Sequence, residues 1–293
     1  MMEPAEDHRP FAWQPLTPHG VAAFAGATSG RLLIVQLAVA FLAALVLVWF
    51  VDKDWFPTVR AAIDQLPAQA GIRSGRLTWN DEAPRSLAES RFLAVVVDLQ
   101  HSGQLRSPAH LELEFGRGDL WVYSLFGCLQ IPYPSGYVIA LDLETLKPWW
   151  GAWAPAILAG IGLAAAAALL ASWTALACVY CLPAWLLARY AGRQLRFGAS
   201  WKLAGAALMP GALLLTGALV LYALGGLDLV HLLGAWVLHF ILGWAFVILG
   251  VLARPKLAAL PGAKTNPFGP AAEPEPPARK RGSPSTNPFS PKR

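Results

Sequence analysis

The sequence predicts an α-helical membrane protein with four transmembrane helices and a small extracytoplasmic α+β domain inserted between the first and the second. Three observations predict it. Of 293 residues, 56% are hydrophobic and only 14% charged, against about 25% charged in an ordinary soluble domain, which leaves too little polar surface to wet a globule. The apolar residues gather into runs long enough to cross a ~30 Å hydrocarbon core as helices. Residues 52–148 break that pattern, with nine Lys and Arg against twelve Asp and Glu.

The elements follow in chain order. In residues 1–31, the stretch PLTPHGVAAFAGATSGR holds Thr17 as a cap for a short helix starting at Pro18, expected to rest at the inner interface near Arg31. Residues 32–51, LLIVQLAVAFLAALVLVWFV, form the first span, with Gln36 its only strongly polar side chain. No small-x-small cleavage site follows, so the span reads as an uncleaved anchor. In the domain 52–148, PTVRAAIDQLP reads as a helix opening at Pro57, with Val59, Ala62, Ile63 and Leu66 at helical spacing. Strand-like runs come next at 75–79, 92–99, 110–116, 119–127 and 137–143, joined into a small antiparallel sheet. The alternation of HLELEF puts Leu111, Leu113 and Phe115 on one face, and GRGD at 116–119 reads as a tight hairpin turn.

Residues 149–252 are the remaining three spans: roughly 153–175 continuing toward Pro183, about 203–224 with a kink at Pro210, and about 229–252. The loop 189–202 carries Arg189, Arg193, Arg196 and Lys202 without an acid, and basic residues crowd the tail 253–293. Lysine and arginine near span ends stay cytoplasmic, so both termini and the basic loop belong in the cytosol and residues 52–148 outside. The loop RQLRFGASWK is basic and amphipathic and is expected to lie on the anionic inner leaflet.

Candidate functional residues fall into four groups. Asp81 and Glu82 in WNDEAP, with Asp98 and His101 in VDLQHSG, are the polar positions of the domain, and Asp98 and His101 are spaced to pair as carboxylate and imidazole. Asp228 and His231 share a helix face, and His239 lies near mid-span, where Thr216 is a candidate partner. Ala156, Gly160, Ala164, Ala168 and Ser172 recur every four residues, a smooth ridge on which another helix can pack closely. In the Pro-rich tail, Asn266-Pro267-Phe268 and Asn287-Pro288-Phe289 repeat the tripeptide that eukaryotic EH domains capture. Usage rich in Ala, Leu, Gly and Arg is that of a bacterial chain, which leaves docking of another kind or a passive spacer.

Function narrows by exclusion. No nucleophile elbow, metal-ligand spacing or phosphate-cradling glycine loop accompanies the polar residues, so no metal, cofactor or catalytic set is expected. No basic patch with interleaved aromatics suggests nucleic acid. The chain is expected to bind a partner or ligand through its outer domain, as scaffold, sensor or accessory subunit. The alternatives are a transporter using His239 and an enzyme acting in the outer domain. Its partners would be the bilayer and other membrane or envelope proteins, with a homo-oligomer possible through the small-residue ridge.

The layout of one anchor, an outer domain with Ile72, Gly75 and Leu77 as I-x-x-G-x-L, the VVVD run at 95–98 and the LRFGASWKLA loop at 195–204 resembles uncharacterised bacterial membrane proteins of maltodextrin-utilisation type. In outline the bundle is similar to Yip1-type membrane domains. The resemblance implies architecture and a link to envelope or sugar-uptake systems, and it supplies no catalytic residues.

Overall fold

The computed structural model describes residues 13–256. Helix α1 (Pro18–Phe24) starts where Thr17 accepts a hydrogen bond from the Gly20 N–H at 3.0 Å. Helix α2 (Ser29–Phe50) passes without a break through one π-helical turn, Val51–Trp55, into α3 (Phe56–Asp64). The anchor and the domain's first helix, expected as separate elements, are thus one rod of 36 residues. Pro57 accounts for the π turn: its ring would collide with the carbonyl four residues back, and the wider turn moves that carbonyl aside.

Eight strands follow: β1 (Gly71–Arg73), β2 (Arg76–Thr78), β3 (Arg85–Glu89), β4 (Leu93–Val97), β5 (Leu111–Phe115), β6 (Asp119–Ser124), β7 (Gly127–Pro132) and β8 (Val138–Ala140). They form two sheets, β2-β1-β8 and β3-β4-β5-β6-β7. The first is antiparallel throughout, and its β1–β2 hairpin turns on Ser74 and Gly75, both at positive φ, as a type I′ turn requires. The second is mixed, because β4 and β5 run parallel. That corrects the antiparallel expectation. A parallel pair needs a crossover, and here residues 98–110 supply it without a helix.

Helix α4 (Leu143–Tyr190) is capped by Asp142, which accepts from the Thr145 N–H at 2.8 Å, and runs unbroken through Pro148, Pro155 and Pro183. It begins about ten residues before the expected span, so its first turns belong to the domain. Helices α5 (Phe197–Ala207) and α6 (Met209–Ala223) are separated at Leu208, where Pro210 in the first turn of α6 withholds a backbone donor, as the predicted kink requires. Helix α7 (Leu229–Leu252) is capped by Asp228. Among the described residues, four helical runs are long and apolar enough to cross a membrane: Ser29–Asp64, Leu143–Tyr190, Phe197–Ala223 and Leu229–Leu252.

Small side chains let these helices approach. Ala177, Ala184, Ala204, Ala206 and Ala207 are fully buried, and Gly205 seats Leu32 and Gln36 of α2. Helix α1 does not rest on a surface: Val21 and Phe24 are wholly buried, with Val21 pressed on Gly250 of α7. Lys202 and Arg254 donate to the Ala27 and Ala22 carbonyls at 2.5 and 3.3 Å, satisfying acceptors at and just beyond the helix end. The basic loop is likewise tied down. Arg193 donates to the Arg254 carbonyl at 2.7 Å and the Gln194 N–H to that of Pro255 at 3.0 Å. Ala156, Gly160, Ala164, Ala168 and Ser172 are all exposed on α4, whereas α2 packs at Gly162.

Candidate binding site

The five-stranded sheet has an apolar face, with Val95, Val97, Leu113 and Phe115, and an opposite face that carries Glu112 and Glu114 on β5. Along β5 the two glutamates are buried more deeply than the apolar residues that alternate with them. Glu112 and Glu114 are 3% and 0% exposed, while Leu111, Leu113 and Phe115 are half-buried. The crossover 98–110 lies over the glutamates and is pinned by them. Glu112 accepts from the Ser107 N–H at 2.8 Å and from Arg106 at 3.1 Å, and Arg106 lies 3.2 Å from Glu114 Oε2 in ion-pair geometry. The Arg106 guanidinium also stacks 3.9 Å from the Tyr123 ring centroid.

At the start of the crossover, Asp98 organises a turn. It accepts from the Ser102 hydroxyl at 2.7 Å and from the Gln100 and Gly103 N–H groups, both at 3.2 Å. Burial works to raise its pKa, but these hydrogen bonds outweigh it and hold the carboxyl below the usual range. The turn sets His101 at φ +51° and turns its ring away from Asp98, so the expected Asp98–His101 pair does not form. His101 instead bonds through Nδ1 to Glu114 and through Nε2 to Asp119, the latter at 2.7 Å, and packs 4.7 Å from the Trp121 centroid. Burial disfavours its charged form, yet the two carboxylates more than offset that and raise its pKa. Gly116 faces the ring so closely that a Cβ there would fall 2.1 Å from Nε2.

The crossover's other end reaches the helices. His110 Nδ1 shares a hydrogen bond with the Tyr222 hydroxyl in the last turn of α6. Beside it, Arg91 donates to the Leu227 carbonyl at 2.8 Å in the α6–α7 turn, and Phe92 packs edge-on against Phe50 and Tyr222 with centroids 5.2 and 5.0 Å apart. Burial first, and the Arg91 charge second, lower the His110 pKa. One loop therefore carries a histidine at each end, one gripping the sheet and one gripping the bundle.

The apolar face of the same sheet closes over a cavity of about 210 Å³. Its walls come from α3 (Ala62, Ile63), from the sheets (Val97, Leu113) and from the first turns of α4 (Trp149, Trp150), and no polar surface lines it. The space is partly open at the surface, and its wholly apolar walls suit an apolar guest better than water.

The remaining predicted residues are scattered. Asp81 accepts from the Ala83 N–H at 3.0 Å in a local turn, and Glu82 meets Arg117 at 3.4 Å on the surface. Asp228 takes both the N–H and Nδ1 of His231, at 2.8 and 2.7 Å, on the shared face that was expected. His239 bonds through Nδ1 to the Trp236 carbonyl of its own helix, and Thr216 donates to Ala212 at 2.8 Å, so these two do not pair. Cys128, Cys178 and Cys181 are free thiols. Asn266-Pro267-Phe268 and Asn287-Pro288-Phe289 lie outside the described residues. Among the described residues no group of three or more His, Cys, Asp or Glu side chains is placed to hold a metal. Sequence reasoning passed over Glu112, Glu114, Arg106 and Asp119. The available signal was a Glu-x-Glu inside a strand, where glutamate is disfavoured unless something polar covers it.

Fold and site define a class: a mostly helical chain with four helices long and apolar enough to cross a membrane, and a small two-sheet region inserted after the first. No protein-family model, curated protein or solved structure matches this chain.

Proposed function

We propose that this protein is a bacterial inner-membrane protein whose extracytoplasmic domain binds a ligand or partner, and whose four-helix bundle anchors the domain and carries the bound state inward. It acts without catalysis, as a scaffold, sensor or accessory subunit. The observation that carries this reading is the crossover 98–110, clamped to the sheet through His101 and Arg106 and to the bundle through His110. A partner that binds the exposed Gln104–Leu105 tip engages the loop whose far end, His110, is bonded to Tyr222. The basic residues of loop 189–202 support a cytosolic location for that end. The exposed small-residue ridge of α4 supports contact with a neighbouring membrane helix, whether of a second copy or of another envelope protein.

A photo-crosslinking side chain at Gln104 tests the reading in intact cells. Discrete adducts that fade in a Glu114→Ala background, where the loop is unpinned, are the expected result. Adducts indifferent to Glu114, or none, count against it. Orientation is checked separately with single cysteines at Gln104 and Gln194 in a chain whose own three cysteines are serine. An impermeant thiol reagent should label only the former.

A further inference from the structure

We infer that the apolar cavity holds a hydrocarbon chain of a membrane phospholipid, drawn from the leaflet that surrounds the α3–α4 end of the bundle. The inference deepens the binding reading above and rests on it for the membrane placement. Three observations converge on this occupant. The lining offers no hydrogen-bonding surface, so the guest must be hydrocarbon where it is enclosed. Two of the walls, α3 and the first turns of α4, are direct continuations of helices long and apolar enough to cross a membrane, so the cavity stands beside the level where acyl chains join their headgroups. Trp149 forms both the cavity wall and the surface: it is 48% exposed and stacks 6.4 Å from Trp153, itself 54% exposed, as interfacial tryptophans do.

Strand register sets the level independently. His110, bonded to Tyr222 at the end of α6, directly precedes Leu111, and Leu111 pairs with Ser124. The β6–β7 hairpin tip that follows Ser124 therefore lies at the height of the bundle's end. That tip is Leu125-Phe126, 51% and 85% exposed, so it does not rest on the helices and is free to enter the bilayer surface beside them. The cavity's apolar face continues toward this tip. Leu113 pairs with Val122 and Val122 with Leu129, the last exposed on the edge strand. A chain leaving the leaflet thus meets apolar surface from the hairpin to the cavity.

The full chain, reconstituted in liposomes that contain a phospholipid with a diazirine at one chain terminus, tests the inference. After irradiation, adducts are expected on Val97, Leu113 or Ala62 as well as on outward-facing helix residues. Ala62→Trp fills the space and should lower the cavity adducts roughly tenfold, the change expected when burial of about two methylenes is lost, while helix-face adducts stay constant. Leu113→Phe serves if Ala62→Trp does not elute as a folded protein. Adducts confined to helix faces, or cavity adducts indifferent to both substitutions, overturn the inference. Labelling by a diazirine free fatty acid but not by the phospholipid overturns the phospholipid as the source. Loss of Gln104 crosslinks with cavity labelling intact would sink the partner reading alone, and the converse would sink the lipid alone.

Discussion

His110 and Tyr222 stack with ring centroids 5.4 Å apart and planes 26° from parallel, while His110 Nδ1 bonds the tyrosine hydroxyl. They are 112 residues apart in sequence, one closing the crossover of the sheet and the other closing α6. Tyr222→Phe keeps the stack and removes the hydrogen bond. It should cost about 1 kcal/mol, more if His110 finds no water. Hydrogen exchange in detergent should show faster opening of residues 107–112 with α5 and α6 unchanged. Uniform loosening of the whole chain would mean that the contact is not a local junction.

Gly116→Ala should break the grip at the other end. Its Cβ would lie 2.1 Å from His101 Nε2 and 2.9 Å from Asp119 Oδ1, so the imidazole must leave the carboxylates that hold it. A loss of about 1–3 kcal/mol is expected, the cost of leaving buried polar partners unpaired. The cycle with His101→Ala decides the cause: in that background Gly116→Ala should cost almost nothing further. Equal costs in both backgrounds would point to backbone strain instead.

Much of this architecture was legible in the sequence, and the exceptions share a physical origin. The four apolar runs, the Thr17 cap and the Pro210 break follow from local rules, and the helices appear accordingly. Spacing placed Asp228 and His231 on one face for the same reason. Periodicity also found β4, β5 and β6, but it could not say which face of β5 would be covered. That depended on where a distant, aperiodic stretch, 98–110, would lie. The same stretch decided that His101 meets Glu114 and Asp119 and not Asp98, its nearer neighbour in sequence. The cavity was invisible for a similar reason, because six separate segments form it.

Acidity should move the two ends of the crossover in opposite directions. His101, facing Glu114 and Asp119 with Trp121 alongside, has its pKa raised from 6.5. Its contribution is complete below about 6.5 and is lost as pH rises through the raised folded value. His110, facing Tyr222, Phe92 and Arg91, with Asp228 acting through its charge, has its pKa lowered. Its contribution is complete above about 6.5 and is lost as pH falls through the lowered folded value. Exchange rates, corrected for intrinsic chemistry, should therefore rise near residues 99–105 in alkali and near 109–111 in acid. His101→Gln should abolish the alkaline limb only, and His110→Gln the acid limb only. A single limb lost in both variants would contradict the assignment.

At Gly211, α6 packs tightly on α7. A Cβ there would stand 2.5 Å from the His239 carbonyl oxygen, a backbone atom that cannot swing aside. Gly211→Ala must push the helices apart, and overpacking of this kind costs about 1–3 kcal/mol. His239→Leu is the informative contrast. It keeps the carbonyl that meets Gly211 and removes a side-chain bond to Trp236 and ring packing on Phe240, both on its own helix. Thermal unfolding in detergent should therefore fall for Gly211→Ala and stay near wild type for His239→Leu. A folded His239→Leu protein then isolates chemistry from packing. Should the chain move a solute through the bundle, this variant must abolish flux, and unchanged flux leaves His239 a packing residue whose backbone matters more than its ring.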